Sequence, residues 1–184
     1  MAVSISTWVK GWSVDVALEY YWGTPEREAF RVTNLWQGDF EYGNPQDPMD
    51  AKFPTRTPTL DPRATSATLR LEVTGHGLHP NTGNAAEFMP ARRKVTVNGK
   101  AFSNLLWRTD NYLNPGRPQG GTWKYDRAGW GPGALVIPWE IDVSDLVKPG
   151  EPVTIDYAPQ PYVNENAGKS RANHIVEAVL IEYR

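Results

Sequence analysis

Thr68–Val73 reads TLRLEV. Leu69, Leu71 and Val73 fall on one side of an extended chain, and Arg70 and Glu72 fall on the other. A two-residue period of this kind belongs to a strand with one face buried. The same pattern recurs along the chain. VTIDY (Val153–Tyr157) places Val153, Ile155 and Tyr157 on a shared face. His174–Tyr183 is rich in β-branched residues and reads as a central strand. Further candidates are Val3–Val9, Val14–Tyr20, Ala29–Leu35, Lys94–Val97, Ala101–Trp107 and Leu135–Ile141. Asn98-Gly99 is a strong two-residue turn signal that pairs its flanking strands as a hairpin, and Pro149-Gly150 marks another turn. The expectation is an all-β jelly-roll β-sandwich of about eight or nine antiparallel strands with long Gly/Pro-rich loops.

Composition agrees. The 184 residues suit one domain with a sizeable core. Gly and Pro number 16 each, a combined share above the roughly 12% of average proteins, which favours short strands and turns over helices. Eight Trp and eight Tyr supply either a core or flat surfaces for sugars and protein partners. Adjacent Tyr20, Tyr21 and Trp22 alternate sides on a strand, so at least one of them meets solvent or a partner.

The loops carry the most unusual composition. Asn114–Gly133 reads NPGRPQGGTWKYDRAGWGPG, with six Gly, three Pro, two Trp and two Arg in twenty residues. Gly and Pro at those positions break helix and strand alike. The segment reads as an ordered loop that holds rings and guanidinium groups, and loops of that kind commonly serve a function. Gly43–Thr65 is a second irregular excursion. Its Asp47, Asp50 and Asp61 match no calcium-loop spacing and read as solvated charge.

Several function classes find no support. The net charge is -2, and only Arg92-Arg93-Lys94 forms a basic run, so no nucleic-acid partner is expected. The apolar stretches are too short to insert in a membrane. MAVSISTWVKGW at the N-terminus lacks the basic and apolar regions of a signal peptide. This points to intracellular assembly, in a virion for example, or to a trimmed secreted chain. With no Cys, disulfides, Cys-ligated metals and thiol catalysis are excluded. His76 and His79 have an H-x-x-H spacing, but an extended chain does not bring those rings together. No metal or other cofactor is expected.

TGHG (Thr74–Gly77), NAAEF (Asn84–Phe88), VNGK (Asn98-Gly99 at its centre), LWRTDNYLNP (Leu106–Pro115) and GTWKYDRAGWGPG (Gly121–Gly133) occur in one order and spacing. Together they resemble the C-terminal domain of the bacterial peptide-N-glycosidase F family. The resemblance is strongest over residues 68–184, with residues 1–184 expected to form a single domain. It implies a fold of paired eight-stranded jelly rolls, shared with copper-dependent peptidylglycine monooxygenases. It also implies hydrolysis of the glycosylamine bond between Asn and an N-linked glycan, at a site between the rolls.

By the same resemblance, Glu87 matches an active-site carboxylate, Arg127 an active-site arginine and Trp130 its neighbouring tryptophan. A carboxylate orients or deprotonates water, Arg steadies it through fixed donors, and Trp offers a flat face to a sugar. Trp123, Trp107, Arg108 and Asp126 join them as candidate ligand residues. Each also has a structural role open to it. Arg127 can cap loop carbonyls or pair with Glu87 or Asp126, and Trp123 and Trp130 can plug the core beneath the loop. The family's Cys beside the matching Glu are Ala85 and Met89 here, and a second family disulfide falls on Asn111 and Gly131. The family's principal catalytic Asp belongs to the other jelly roll.

The expectation is therefore a non-catalytic structural or binding module. Its partner is a glycan or glycoprotein, or neighbouring protein subunits in a virion or surface layer, with homo-oligomers among the assemblies considered. The alternative is an amidase of N-glycosylated Asn whose missing carboxylate comes from a partner domain, or from Asp126 or Asp110.

Overall fold

The computed structural model describes residues 15–78, 85–167 and 171–184. Among them, seven strands form two antiparallel sheets. The strands are β1 (Ala29–Glu41), β2 (Ser66–His76), β3 (Ala91–Val97), β4 (Lys100–Leu106), β5 (Trp139–Asp142), β6 (Ile155–Pro159) and β7 (Asn173–Tyr183). One sheet has the order β1-β7-β2-β5 and the other β4-β3-β6. This is the expected all-β, jelly-roll-like sandwich. Among the described residues, helix is limited to short 3-10 turns such as Met49–Lys52 and Asn111–Leu113.

The period-two reading of TLRLEV holds. Leu69, Leu71 and Val73 are buried, while Arg70 and Glu72 lie between them on the opposite face. β7 is central, paired along its length with β1 on one side and β2 on the other. Val176, Ala178 and Leu180 of β7 meet Val95, Val97, Ile155 and Tyr157 of the second sheet in one buried cluster. In β1 the ladder skips Leu35 between the pairs Asn34↔Val179 and Trp36↔Ala178. That bulge turns two consecutive residues, Leu35 and Trp36, into the core.

The Asn98-Gly99 hairpin joins β3 to β4, closed by the Val97↔Lys100 pair. Both turn residues have positive φ, 46° and 85°, as a two-residue hairpin turn requires. The Pro149-Gly150 turn also forms, with Glu151 N–H donating to the Lys148 carbonyl at 3.1 Å.

Two expected strands differ in the structure. Residues 135–138 are not a strand; Leu135 and Ile137 are exposed and β5 starts at Trp139. Pro138 explains this, since it has no N–H for the ladder. Residues 15–20 form no strand with any described residue, and Val16, Leu18 and Tyr20 are exposed. The strand expected at Val3–Val9 lies outside the described residues. No helix among the described residues is long and apolar enough to cross a membrane.

Candidate functional site

Glu87 and Arg127 lie forty residues apart in sequence and meet because backbone bonds lace three segments together. Glu87 N–H donates to the Gly77 carbonyl at 3.1 Å, at the end of β2. Ala128 N–H donates to the Glu87 carbonyl at 2.9 Å, and Gly75 N–H donates to the Ala128 carbonyl at 2.9 Å. A two-way backbone bridge between Arg108 and Arg127 adds a fourth segment.

The Arg127 side chain is 2% exposed. Its Nη1 donates to Glu87 Oε1 at 3.0 Å. Its Nη2 donates to the Thr122 carbonyl and to Thr122 Oγ1. Two rings enclose the guanidinium, with Cζ 4.9 Å from the Phe88 centroid and 4.7 Å from the Trp130 centroid. Contacts of this type on a desolvated cation are worth roughly 2 kcal/mol each at best. Trp130 is anchored in turn: Nε1–H donates to the Gly75 carbonyl at 2.8 Å, and the ring lies 4.9 Å from that of His76. Phe88, Arg127, Trp130 and His76 thus form one stack.

Burial raises the Glu87 carboxyl above its ordinary range, and the positive charge of Arg127 opposes that rise. Burial likewise lowers Arg127, with Glu87 opposing. The His76 ring is pushed below its usual value by burial, with Asp39 pulling upward and Arg127 adding to the fall. The Glu87 side chain keeps 18% exposure, so one edge of this otherwise enclosed pair is open.

The loop of residues 114–133 is irregular, as its composition requires, and amide side chains hold it. Asn111 is fully buried and its Nδ2 donates to the carbonyls of Tyr125 at 2.9 Å and Trp130 at 3.2 Å. Asn114 Nδ2 and Gln119 Nε2 both donate to the Pro132 carbonyl, at 2.6 and 2.9 Å. Asn111 lies against Gly131, at the position that the resemblance assigns to a disulfide. At the other such position Ala85 is buried and Met89 packs on the core. Hydrogen bonds and packing occupy both places.

Trp107 and Arg108 line a separate cleft of about 490 Å³ together with Arg93, Asn104 and Trp139. Arg108 pairs with Asp110 at 2.6 Å and donates to the Leu135 carbonyl at 2.6 Å. Trp123 is half-buried. Asp126 is also half-buried, and among the described residues it forms no ion pair. His79 lies outside the described residues, and no cluster of three or more His, Asp or Glu occurs among them. Tyr20, Tyr21 and Trp22 are fully exposed.

Sequence reasoning missed Phe88, His76 as part of the stack, and the Arg93–Asn104–Trp139 group. A signal for Arg93 existed. In the basic run, period two sends Arg92 and Lys94 outward and Arg93 inward.

The family profile described as "Peptide-N-glycosidase F, C terminal" matches residues 45–181. The chain belongs to this family. Its fold is also that of solved structures. A crystal structure of peptide-N(4)-(N-acetyl-β-D-glucosaminyl) asparagine amidase superposes with a TM-score of 0.75 at 21% identity, covering 89% of this chain and 55% of that one. PNGase F of Flavobacterium meningosepticum, described as a glycosylasparaginase, gives 0.75 at 21% identity, with 89% and 54% covered. PNGF-II gives 0.64 at 21% identity, with 84% and 30% covered. At such identity these likenesses show the fold alone. The chain spans about half the length of the PNGase F structures it matches. No curated protein matches the sequence.

Proposed function

We propose that residues 1–184 form one non-catalytic PNGase F C-terminal-like domain, serving as a structural or binding module that meets a glycan, a glycoprotein or neighbouring subunits. The enclosure of Arg127 carries this reading. A guanidinium lying over the rings of Phe88 and Trp130, with Nη1 bonded to Glu87 and Nη2 to Thr122, has both of its terminal nitrogens committed to the protein, and its Nε is buried. It braces the loop and leaves that loop's surface for contact. Trp123 and Asp126 are the candidate contact residues on the same loop.

One observation favours a second reading. Glu87 keeps an open edge and a raised carboxyl, properties suited to proton transfer. In that reading the chain is itself an amidase, and Asp126 or Asp110 supplies the second carboxylate. Incubation of the purified chain with a denatured N-glycosylated protein separates the two. The module reading expects the glycan to stay attached. Release of free glycan that Glu87→Gln abolishes would overturn it.

A further inference from the structure

β4 and β5 are edge strands, one in each sheet, and both contribute residues to the lining of the cleft of about 490 Å³. We propose that this cleft is a carbohydrate site that takes pyranose units of a neutral oligosaccharide. The proposal rests on the binding-module reading and gives it a place and a ligand class.

A pyranose presents an apolar face of C–H bonds and a rim of hydroxyl groups. The cleft offers a counterpart to each. Trp107 is half-buried at its edge, directly after β4, and takes part in no ring stack or cation contact among the described residues. Its indole is therefore free to receive an apolar sugar face. Leu105 and Ile137, 44% and 64% exposed, extend the apolar rim.

Asn104 supplies the polar element, and Arg93 sets its orientation. Arg93 Nε and Nη2 both donate to Asn104 Oδ1, at 3.3 and 3.2 Å. The amide oxygen is thus occupied, and Nδ2–H₂ is the group left to donate to a hydroxyl oxygen. The Arg93 guanidinium also lies 5.1 Å from the Trp139 ring centroid. At 7% exposure Arg93 is a positioning residue that fixes an amide and an indole before any ligand arrives. Preorganisation of this kind lowers the ordering cost of binding.

The charges favour a neutral ligand. The two carboxylates that line the cleft are already paired, Asp110 with Arg108 at 2.6 Å and Glu140 with Arg70 at 2.5 Å. Arg93 also lines the cleft and forms no ion pair among the described residues, but at 7% exposure it is withdrawn from the open part.

The test titrates the whole chain with chitotriose, mannotriose and xylotriose, following heat and the indole N–H resonances. At least one sugar is expected to bind and to move the Trp107 signal. Trp107→Ala should weaken binding by about tenfold or more, and Asn104→Ala by about threefold to tenfold, as for a lost hydrogen bond. Trp107→Phe, which keeps a ring, should retain part of the affinity and guards against misfolding. Trp22→Ala, on the exposed N-terminal stretch, should change nothing. If none of the sugars binds at about 10 mM, where even weak sites fill, the carbohydrate assignment is wrong. Binding that survives both cleft variants overturns this cleft as the site and leaves the module reading standing. Glycan release from a glycoprotein overturns the module reading irrespective of the cleft.

Discussion

Asn111 and Gly131 are in direct contact: a methyl group in place of the Gly131 hydrogen would sit 2.0 Å from Asn111 Oδ1. Asn111 is fully buried and fixed by two carbonyls, so it has no room to retreat. Gly131→Ala should therefore destabilise the fold by about 1–3 kcal/mol, the usual range for overpacking. Urea unfolding of the variant against the wild type measures this directly.

The same proximity predicts a covalent replacement. Asn111→Cys combined with Gly131→Cys should oxidise to a disulfide at the pair the family resemblance marks. Closing a loop of this size is worth roughly 2–4 kcal/mol when the geometry is unstrained. Mass spectrometry without reductant should show the bond, and the melting temperature should fall when reductant is added.

The fold was legible in the sequence wherever period two met a clear turn. Leu69, Leu71 and Val73 announced their face, and Asn98-Gly99 announced its hairpin. Leu135–Ile141 misled because its apolar spacing looked like a strand while Pro138 removed the ladder donor. The site was legible only as residue types. Nothing in the spacing of Glu87 and Arg127 says that they touch, because the lacing bonds run through Gly75, Gly77 and Ala128. The grouping of Arg93, Asn104 and Trp139 was invisible for the same reason, although period two marks Arg93 as inward-facing. They come from three strands, β3, β4 and β5, whose adjacency is a tertiary fact.

A pH dependence follows from His174. The ring is buried against Tyr42, with centroids 4.2 Å apart. Burial, with the positive charge of Arg93 and the nearby His76, holds it at about 3, against an ordinary value of 6.5. The unfolded chain therefore takes up this proton near 6.5 and the folded chain only near 3. The associated stability is fully present above the unfolded value and is lost as pH falls through the window between the two. Glu87 runs the other way, since a raised carboxyl weakens the fold as pH rises through its own range. His174→Phe, which keeps the stack on Tyr42, should flatten the acid-side loss. Urea midpoints at about pH 7 and about pH 4.5 should differ less in the variant than in the wild type.

The cleft and the brace are separable. Arg108 bridges the Arg127 backbone, but its side chain is held by Asp110 and the Leu135 carbonyl. Arg108→Ala should release that rim and weaken sugar binding by about threefold to tenfold, as for a lost hydrogen bond. The Glu87–Arg127 pair should stay intact, and the unfolding free energy should fall by about 1.5–3 kcal/mol, as for a charged hydrogen bond lost from a largely buried side chain. Calorimetric titration alongside urea unfolding reads both quantities.

The central claim is that Glu87 and Arg127, which the family resemblance matches to active-site residues, here brace a loop. A double-mutant cycle in urea unfolding tests it most directly, using Glu87→Gln, Arg127→Met and the double variant. Loss of Arg127 alone should cost about 3 kcal/mol, the low end for a broken buried pair, because Glu87 keeps an open edge. The two changes should be coupled by about 1–3 kcal/mol. Costs that add to within about 0.5 kcal/mol, as for independent sites, would contradict the brace.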